Sequence, residues 1–321
     1  MKPYVVGIDL GGTNTVFGIV DACGVVIASS SIKTCKYNTV DGFIEDLYVE
    51  LTRLIKANDA EGKIHGIGIG APNANYYTGM IEDAVNLPWP TPIPLAKLVS
   101  EKFGIPVTIT NDANAAAIGE MTYGAARGLK DFIMITLGTG VGSGIVINGQ
   151  LVYGHDGFAG ELGHVIMKRN NGRLCGCGRT GCLEAYCSAT GVARTAREFL
   201  EIRKEPSLLR NLHIEEITSK DVYDAAMSGD ALAKEIFDYT GDLLGQAFAD
   251  MVVFSSPEAF ILFGGLARSG ELLLRPLRES LDRNIMSIFK GKPKVLLSEL
   301  KEADAAILGA SALGWEGKNE D

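Results

Sequence analysis

The sequence predicts an α/β protein built from two related halves. Three observations carry that reading. A strand, a glycine turn and a second strand open the chain and recur near its middle. Apolar runs of strand length alternate with segments of helical periodicity. The 321 residues, 46% hydrophobic and 21% charged, suffice for two compact domains of ordinary globular composition.

In the first half, Tyr4-Val5-Val6-Gly7-Ile8-Asp9-Leu10 reads as a buried strand entering the turn Gly11-Gly12-Thr13-Asn14. Strands follow over 16–20 and 25–29, joined by the turn Asp21-Ala22-Cys23-Gly24. Adjacent glycines and a threonine let backbone N–H groups and a hydroxyl close on phosphate oxygens. Asp9, at the strand end, can orient a hydrated Mg²⁺. Taken alone, a Gly-Gly hairpin is usually just a turn. Residues 41–57 carry a helical stripe through Phe43, Leu47, Leu51, Leu54 and Ile55. A strand over 64–69 is broken by Gly70-Ala71-Pro72-Asn73. The loop that follows runs to Pro94 and holds Asn86; it reads either as a pocket cover or as a bare surface loop. A helix over 95–103 and a strand over 107–110 lead to Asn111-Asp112, which opens an Ala-rich helix. Asp112 has two readings. One is the usual helix cap. The other is a general base at the carboxyl end of a strand, where open α/β sheets place ligands.

The second half repeats the opening. Ile133-Met134-Ile135-Thr136-Leu137 enters Gly138-Thr139-Gly140, and Val141-Gly142-Ser143-Gly144-Ile145-Val146-Ile147 leaves it. Asn148-Gly149 is a hairpin signal into a strand over 150–153. The recurrence suggests a duplicated domain with two phosphate-touching hairpins facing each other across a cleft. Neither turn is a P-loop, because no Gly-Lys-Ser/Thr follows the glycines. Neither is a dinucleotide fingerprint, because a strand follows rather than a helix. Helices are expected over 188–202, 219–227 and 230–254. A strand over 260–263 runs into Gly264-Gly265, which reads as a tight turn or as a place where a flat ligand meets backbone. A strand over 295–298 and a close-packing helix over 304–315, carrying Gly309, complete the chain; 316–321 reads as a frayed tail.

Between the hairpin and these helices lies the densest cluster of chemistry. His164, Cys175, Cys177 and Cys182 form a three-thiolate, one-imidazole set of the kind that closes a structural tetrahedral Zn²⁺ site. Glu161 and Glu184 flank it. A zinc-bound histidine has a second ring nitrogen free for another partner, such as a substrate hydroxyl. The plainer reading is a zinc knuckle that only staples a loop. Cys23, Cys35 and Cys187 fall outside the set and read as packing residues.

The net charge of −9 argues against nucleic acid as the main partner and leaves no polybasic patch for a membrane. No apolar run approaches the roughly 18 residues of a membrane helix. A strand begins almost at once, so no leader peptide is expected. The expected setting is the cytoplasm, where thiols stay reduced and favour metal over disulfides. Two phosphate hairpins, a strand-end aspartate and a neutral polar pocket fit phosphoryl transfer to a polyhydroxylated substrate.

These residues resemble the ROK family of sugar kinases, within the hexokinase and actin-like ATPase fold. The most specific motifs are Gly160-Glu161-Leu162-Gly163-His164 and the Cys175-Gly176-Cys177…Gly181-Cys182-Leu183-Glu184 run. Asp9-Leu10-Gly11-Gly12-Thr13-Asn14 resembles the family's first phosphate motif, Leu137-Gly138-Thr139-Gly140-Val141-Gly142 the second, and Gly264-Gly265 the adenosine-side glycines. The resemblance implies two duplicated ribonuclease H-like lobes around a cleft. One spans 1–112, joined by the helix over 304–316; the other spans 113–303 and carries the zinc motif; 317–321 is a tail. It implies that the lobes close over a sugar, with Asp112 near the hinge as catalytic base. It implies sugar contacts from Asn86, Asn111, Asp112, Glu161, His164 and Glu184, and zinc on His164, Cys175, Cys177 and Cys182. The activity implied is ATP- and Mg²⁺-dependent phosphorylation of a hexose 6-hydroxyl, glucose first, in a homodimer or larger assembly. Kinases of N-acetylmannosamine, N-acetylglucosamine, fructose or allose stay open, as does a non-catalytic sugar-binding regulator. Family repressors carry a winged helix before the first phosphate motif. Here that motif starts at Asp9, which favours the kinase branch.

Overall fold

The computed structural model describes residues 2–84, 87–300 and 302–316. The chain opens with β1 (Tyr4–Leu10), β2 (Thr15–Asp21), β3 (Val26–Ile32) and α1 (Val40–Ala57). Then come β4 (Ile64–Gly70), the short pair β5 (Ala74–Asn75) and β6 (Met80–Ile81), α2 (Leu95–Phe103), β7 (Val107–Thr110) and α3 (Asp112–Tyr123). The second half holds β8 (Phe132–Leu137), β9 (Val141–Ile147), β10 (Gln150–Leu151), α4 (Glu184–Cys187), α5 (Ala189–Ile202), α6 (Ser219–Met227) and α7 (Ala231–Ser255). It ends with β11 (Ala259–Phe263), α8 (Glu271–Asn284), β12 (Lys294–Leu297) and α9 (Glu302–Leu313).

The duplication is visible in the sheets. The first has strand order β3-β2-β1-β4-β7 and the second β10-β9-β8-β11-β12. In each five-stranded sheet the strands lie in the order third, second, first, fourth, fifth of their appearance in the chain. β1 pairs antiparallel with β2 and parallel with β4, and β8 pairs parallel with β11. By contact clustering the chain divides into two compact units. The first comprises residues 1–130, 144–160 and 298–321; the second comprises 131–143 and 161–297. The chain passes between them within β9.

In the first unit, α1 lays Phe43, Leu47 and Leu51 on one face of the sheet, each at most 1% exposed. Its apolar residues recur at helical spacing, and Thr39 caps it by accepting from the Gly42 N–H. The other face takes α9. Here the strands are glycine-bearing: a methyl on Gly7 would run into the Ile307 carbonyl, and one on Gly68 into that of Ala310. The missing side chains let α9 lie almost on the sheet backbone, so the expected close packing of the last helix is present. On its far side α9 meets α3, where a Cβ on Gly119 would stand 2.7 Å from the Gly309 Cα. The helix carrying Asp112 is thus braced through α9 against the sheet.

In the second unit, α7 packs along α8, and a Cβ on Gly245 would come 2.5 Å from the Leu277 carbonyl. Phe248 of α7 stacks on Phe260 of β11 at 4.1 Å. Among the described residues no helix is long and apolar enough to cross a membrane.

Three sequence expectations change. Cys23 and Cys35 are exposed, and only Cys187 of the three is buried. Cys23 sits in a turn whose backbone bonds to Asp21 Oδ1 at 2.8 Å, and Cys35 in a 3₁₀ turn over Thr34–Lys36. At both positions turn geometry decides the placement, and the thiol is left outside. The loop after Gly70 contains the β5–β6 hairpin, too short to show alternation. The strand expected over 150–153 ends at Leu151. Residues 317–321, expected as a tail, and Asn86 lie outside the described residues.

Candidate active site

In the first unit three neighbouring parallel strands end side by side. Asp9 pairs with Gly70, and Gly70 with Thr110. A Cβ placed on Gly70 would lie 3.7 Å from the Asp112 Cα and 3.9 Å from Asp9 Oδ1. Gly70 therefore stands between the two aspartates with no side chain of its own. Open α/β sheets place ligands at such carboxyl ends.

Asn111 is the N-cap of α3. Its Oδ1 accepts from the Ala113 N–H at 2.8 Å, and Asp112 Oδ1 shares that N–H at 2.8 Å. The cap is thus filled without Asp112, the first helical residue. Asp112 is exposed at the start of the helix, although the chain crowds around its carboxyl group. Desolvation raises its pKa, and the bonds from backbone N–H groups, which lower it, do not cancel that. Asp9 is half-buried and its pKa rises to about 6, first from desolvation and then from the charge of Asp112. Two carboxylates close to one another, Asp9 half-buried and Asp112 exposed, form a site that favours a bound cation or a proton.

The first hairpin is lightly held. The Gly11 N–H bonds the Asn14 carbonyl at 3.0 Å, and the Cys35 N–H reaches the Thr13 carbonyl at 3.4 Å. Gly12 is half-buried, and Thr13 and Asn14 are exposed at its tip.

In the second unit, one ligand atom each from His164, Cys175, Cys177 and Cys182 lies within 4.8 Å of every other. Cys175 Sγ is 3.6 Å from His164 Nδ1, and Cys177 Sγ is 3.7 Å from Cys182 Sγ. A disulfide needs ~2.0 Å, so these sulfurs are not bonded. Ligands at ~2.3 Å on a tetrahedron stand about 3.8 Å apart, which is the spacing seen. The donor set and its spacing fit Zn²⁺. His164 turns Nδ1 toward the sulfurs and Nε2 toward Glu161, whose Oε2 is 3.8 Å away. Gly163, between them, is pressed against the Val141 carbonyl, which seats this short turn on β9.

Glu184 joins the sulfur cluster to the second hairpin. Its Oε1 is 3.3 Å from Cys175 Sγ, and its Oε2 accepts from the Val141 N–H at 3.0 Å. A Cβ on Gly140 would stand 2.5 Å from that Oε2, so a larger residue there would push the Glu184 carboxylate aside. Gly138 and Thr139 are exposed. Gly264, at φ +103°, presses on the Leu137 carbonyl, which supports the tight-turn reading for that residue. A Cβ on Gly265 would meet nothing within 4 Å.

Arg173 was not legible in the sequence. Its guanidinium donates to Glu198 Oε2 through Nη2 at 2.6 Å, to the Ala185 carbonyl at 3.0 Å and to Thr195 Oγ1 at 2.9 Å. It also lies 4.5 Å from the Tyr186 ring centroid. These contacts pin the entry of the cysteine loop onto α4 and α5. A lone arginine in a polar loop usually reads as solvated, and Glu198 is 25 residues away.

The repeated sheet order, a glycine hairpin after each first strand and strand-end carboxylates are those of the actin-like ATPase fold. Within it, the chain belongs to the ROK family, whose sequence profile matches residues 5–316. It is 37% identical over 316 residues to a glucokinase of Thermotoga maritima, covering 97% of each chain. It is 35% identical over 321 residues to a glucokinase of Halalkalibacterium halodurans, covering 99% of this chain and 96% of that one. The crystal structure of a ROK family glucokinase from Streptomyces griseus in complex with glucose and AMPPNP superposes with a TM-score of 0.79. It is 34% identical and is matched over 98% of this chain and 100% of that one.

Proposed function

We propose that this chain is an ATP-dependent glucokinase that transfers the γ-phosphoryl group of ATP to the 6-hydroxyl of glucose. Similarity to glucokinases over the full length of both chains supports the activity. The observation that carries the mechanism is Asp112. It is an exposed carboxylate with a raised pKa at a strand end, beside Asp9, with the helix cap already supplied by Asn111.

Asp112 accepts the proton of the 6-hydroxyl as that oxygen bonds to phosphorus and the bond to the β-phosphate oxygen breaks. Its raised pKa strengthens it as a base. Asp9 would hold the hydration shell of Mg²⁺, which offsets charge on the phosphate oxygens when bound. Gly11, Gly12, Thr13 and Asn14 from the first hairpin, and Gly138, Thr139 and Gly140 from the second, present backbone and hydroxyl groups to the phosphates. Gly265, with open space before it, and Gly264 lie on the adenosine side. Asn86, Asn111, Glu161, His164 and Glu184 orient the sugar. His164 Nδ1, Cys175, Cys177 and Cys182 would hold a structural Zn²⁺, leaving His164 Nε2 and Glu161 on the sugar side. Closure of the two lobes that the resemblance implies would shield the phosphoryl group from water. Reduced thiols suit the cytoplasm. The enzyme is taken to work as a homodimer.

The test is Asp112→Asn. Turnover is expected to fall by about 10²–10⁴-fold, the worth of a positioned general base. Calorimetric affinities for glucose and Mg-ATP stay near wild type. Near-normal turnover in the variant removes Asp112 from this role.

A further inference from the structure

The second hairpin is fastened to the start of α5 at two successive carbonyls. The Ala189 N–H donates to the Gly138 carbonyl at 2.8 Å. The Thr190 hydroxyl donates to the Thr139 carbonyl at 2.8 Å. Behind Thr190 stands Ser188, the buried N-cap of α5, with the two hydroxyl oxygens 2.8 Å apart. The Ser188 oxygen also accepts from the Gly191 N–H at 3.0 Å.

A carbonyl can only accept, so the Thr190 proton is committed to Thr139. Its oxygen is then the acceptor for the Ser188 proton. The chain runs one way: Gly191 N–H to Ser188, Ser188 O–H to Thr190, Thr190 O–H to the Thr139 carbonyl.

Peptide planarity turns this fastening into a statement about donors. In a trans peptide the C=O of one residue and the N–H of the next point in opposite directions. Fixing the Gly138 carbonyl on Ala189 aims the Thr139 N–H away from α5. Fixing the Thr139 carbonyl on Thr190 aims the Gly140 N–H away from α5 as well. Among the described residues these two N–H groups make no hydrogen bond. Their neighbours are occupied: the Gly138 N–H bonds the Gly140 carbonyl at 3.1 Å, the Val141 N–H bonds Glu184 and the Gly142 N–H bonds Thr136 Oγ1. A Cβ on Gly138 would meet nothing within 4 Å, whereas one on Gly140 would stand 2.5 Å from Glu184 Oε2.

We propose that Thr190 is a positioning residue for nucleotide binding: its hydroxyl, ordered by Ser188, sets the direction in which the Thr139–Gly140 backbone offers its N–H donors to nucleotide phosphate. This rests on the nucleotide-binding reading of the hairpin given above. Donors fixed before the phosphate arrives cost no reorganisation on binding, which is what makes such a cradle effective. Thr190 is exposed, so water competes for its hydroxyl, and the expected effect is modest.

The experiment compares Thr190→Val and Thr190→Ser with the wild type by calorimetric titration of Mg-ATP in the absence of sugar. Glucose affinity, metal content and the thermal unfolding midpoint are measured on each. Valine keeps the shape and loses the donor; serine keeps the donor. The Kd for Mg-ATP is expected to rise about three- to tenfold in Thr190→Val, the worth of one hydrogen bond, and to return to the wild-type value in Thr190→Ser. Glucose affinity, metal content and unfolding midpoint stay unchanged. Wild-type affinity in Thr190→Val overturns the inference, and so does equal loss in both variants, which would mark packing rather than the hydroxyl. A loss of nucleotide affinity, glucose affinity and unfolding midpoint together also overturns it, as a structural role. A wild-type protein that binds no Mg-ATP fails the nucleotide reading itself, an outcome distinct from failure of Thr190 alone.

Discussion

The two glycine hairpins share a sequence plan and differ in how they are held. The first turns at the end of β1 with its tip exposed and one long bond, from the Cys35 N–H, on the Thr13 carbonyl. The second turns at the end of β8 and is fastened by Ala189, Thr190, Glu184 and Thr136. The first has what the second lacks: a pair of aspartates at the strand ends. Asp9 precedes it directly, and Asp112 stands across Gly70. One half of the duplication brings charge for a cation and a proton; the other brings a fixed array of backbone donors. The fastening of the second hairpin comes from the segment just after the cysteine loop. The cysteine loop is therefore part of how that hairpin is shaped.

The strongest way to break this division is through the metal. Cys177→Ser removes one of four ligands, and metal content by atomic absorption should fall toward zero. His164, Glu161 and Glu184 then lose their fixed positions. Glucose affinity should drop by about ten- to a hundredfold, the worth of one or two hydrogen bonds to a polar ligand. The first unit, with its own core, should keep its secondary structure. Normal glucose binding by the metal-free variant would place the metal away from the sugar and reduce it to a staple.

A smaller effect sharpens the role of the first half. Asp9 titrates at about 6 in the folded chain against an ordinary value of 3.8. The folded state therefore binds this proton more tightly than the unfolded state does. The stability it contributes is fully present below the ordinary value and is lost as pH rises through about 6. Without Mg²⁺, Asp9→Asn should raise the thermal midpoint at neutral pH by a few degrees, on the order expected for a chain of this size. The gain should shrink as pH falls and vanish only well below 3.8, where the proton is bound in both the folded and the unfolded wild type. The variant should also bind Mg-ATP more weakly. A gain in stability that persists unchanged at acidic pH would point to packing instead of charge.

How much of this could be read in the sequence depended on how local each feature is. The two hairpins were legible because each is a continuous stretch in which apolar strands bracket glycines. The cysteine cluster was legible because four ligands fall within one short stretch and only a few ions suit them. The start of α3 was legible as Asn111-Asp112, but not the division of labour, in which Asn111 takes the cap. Long-range contacts were not legible. Nothing local to Gly70 says that two aspartates flank it, because that follows from the register of three parallel strands. Nothing near Thr190 says that its hydroxyl meets Thr139, 51 residues earlier. The close approach of α9 could be sensed from its small residues. Its receiving glycines, Gly7 and Gly68, looked like ordinary strand positions. Arg173 carries no motif at all, and its meaning lies wholly in the partners that the fold brings to it.

The most direct measurement is ADP release from Mg-ATP across a panel of glucose, mannose, fructose, allose, N-acetylglucosamine and N-acetylmannosamine. The account expects turnover with a clear preference for glucose. Preference for an N-acetyl sugar would keep the mechanism and replace the substrate. No turnover on any sugar, with the metal confirmed in place, would contradict the account and make the chain a sugar-binding protein without catalysis.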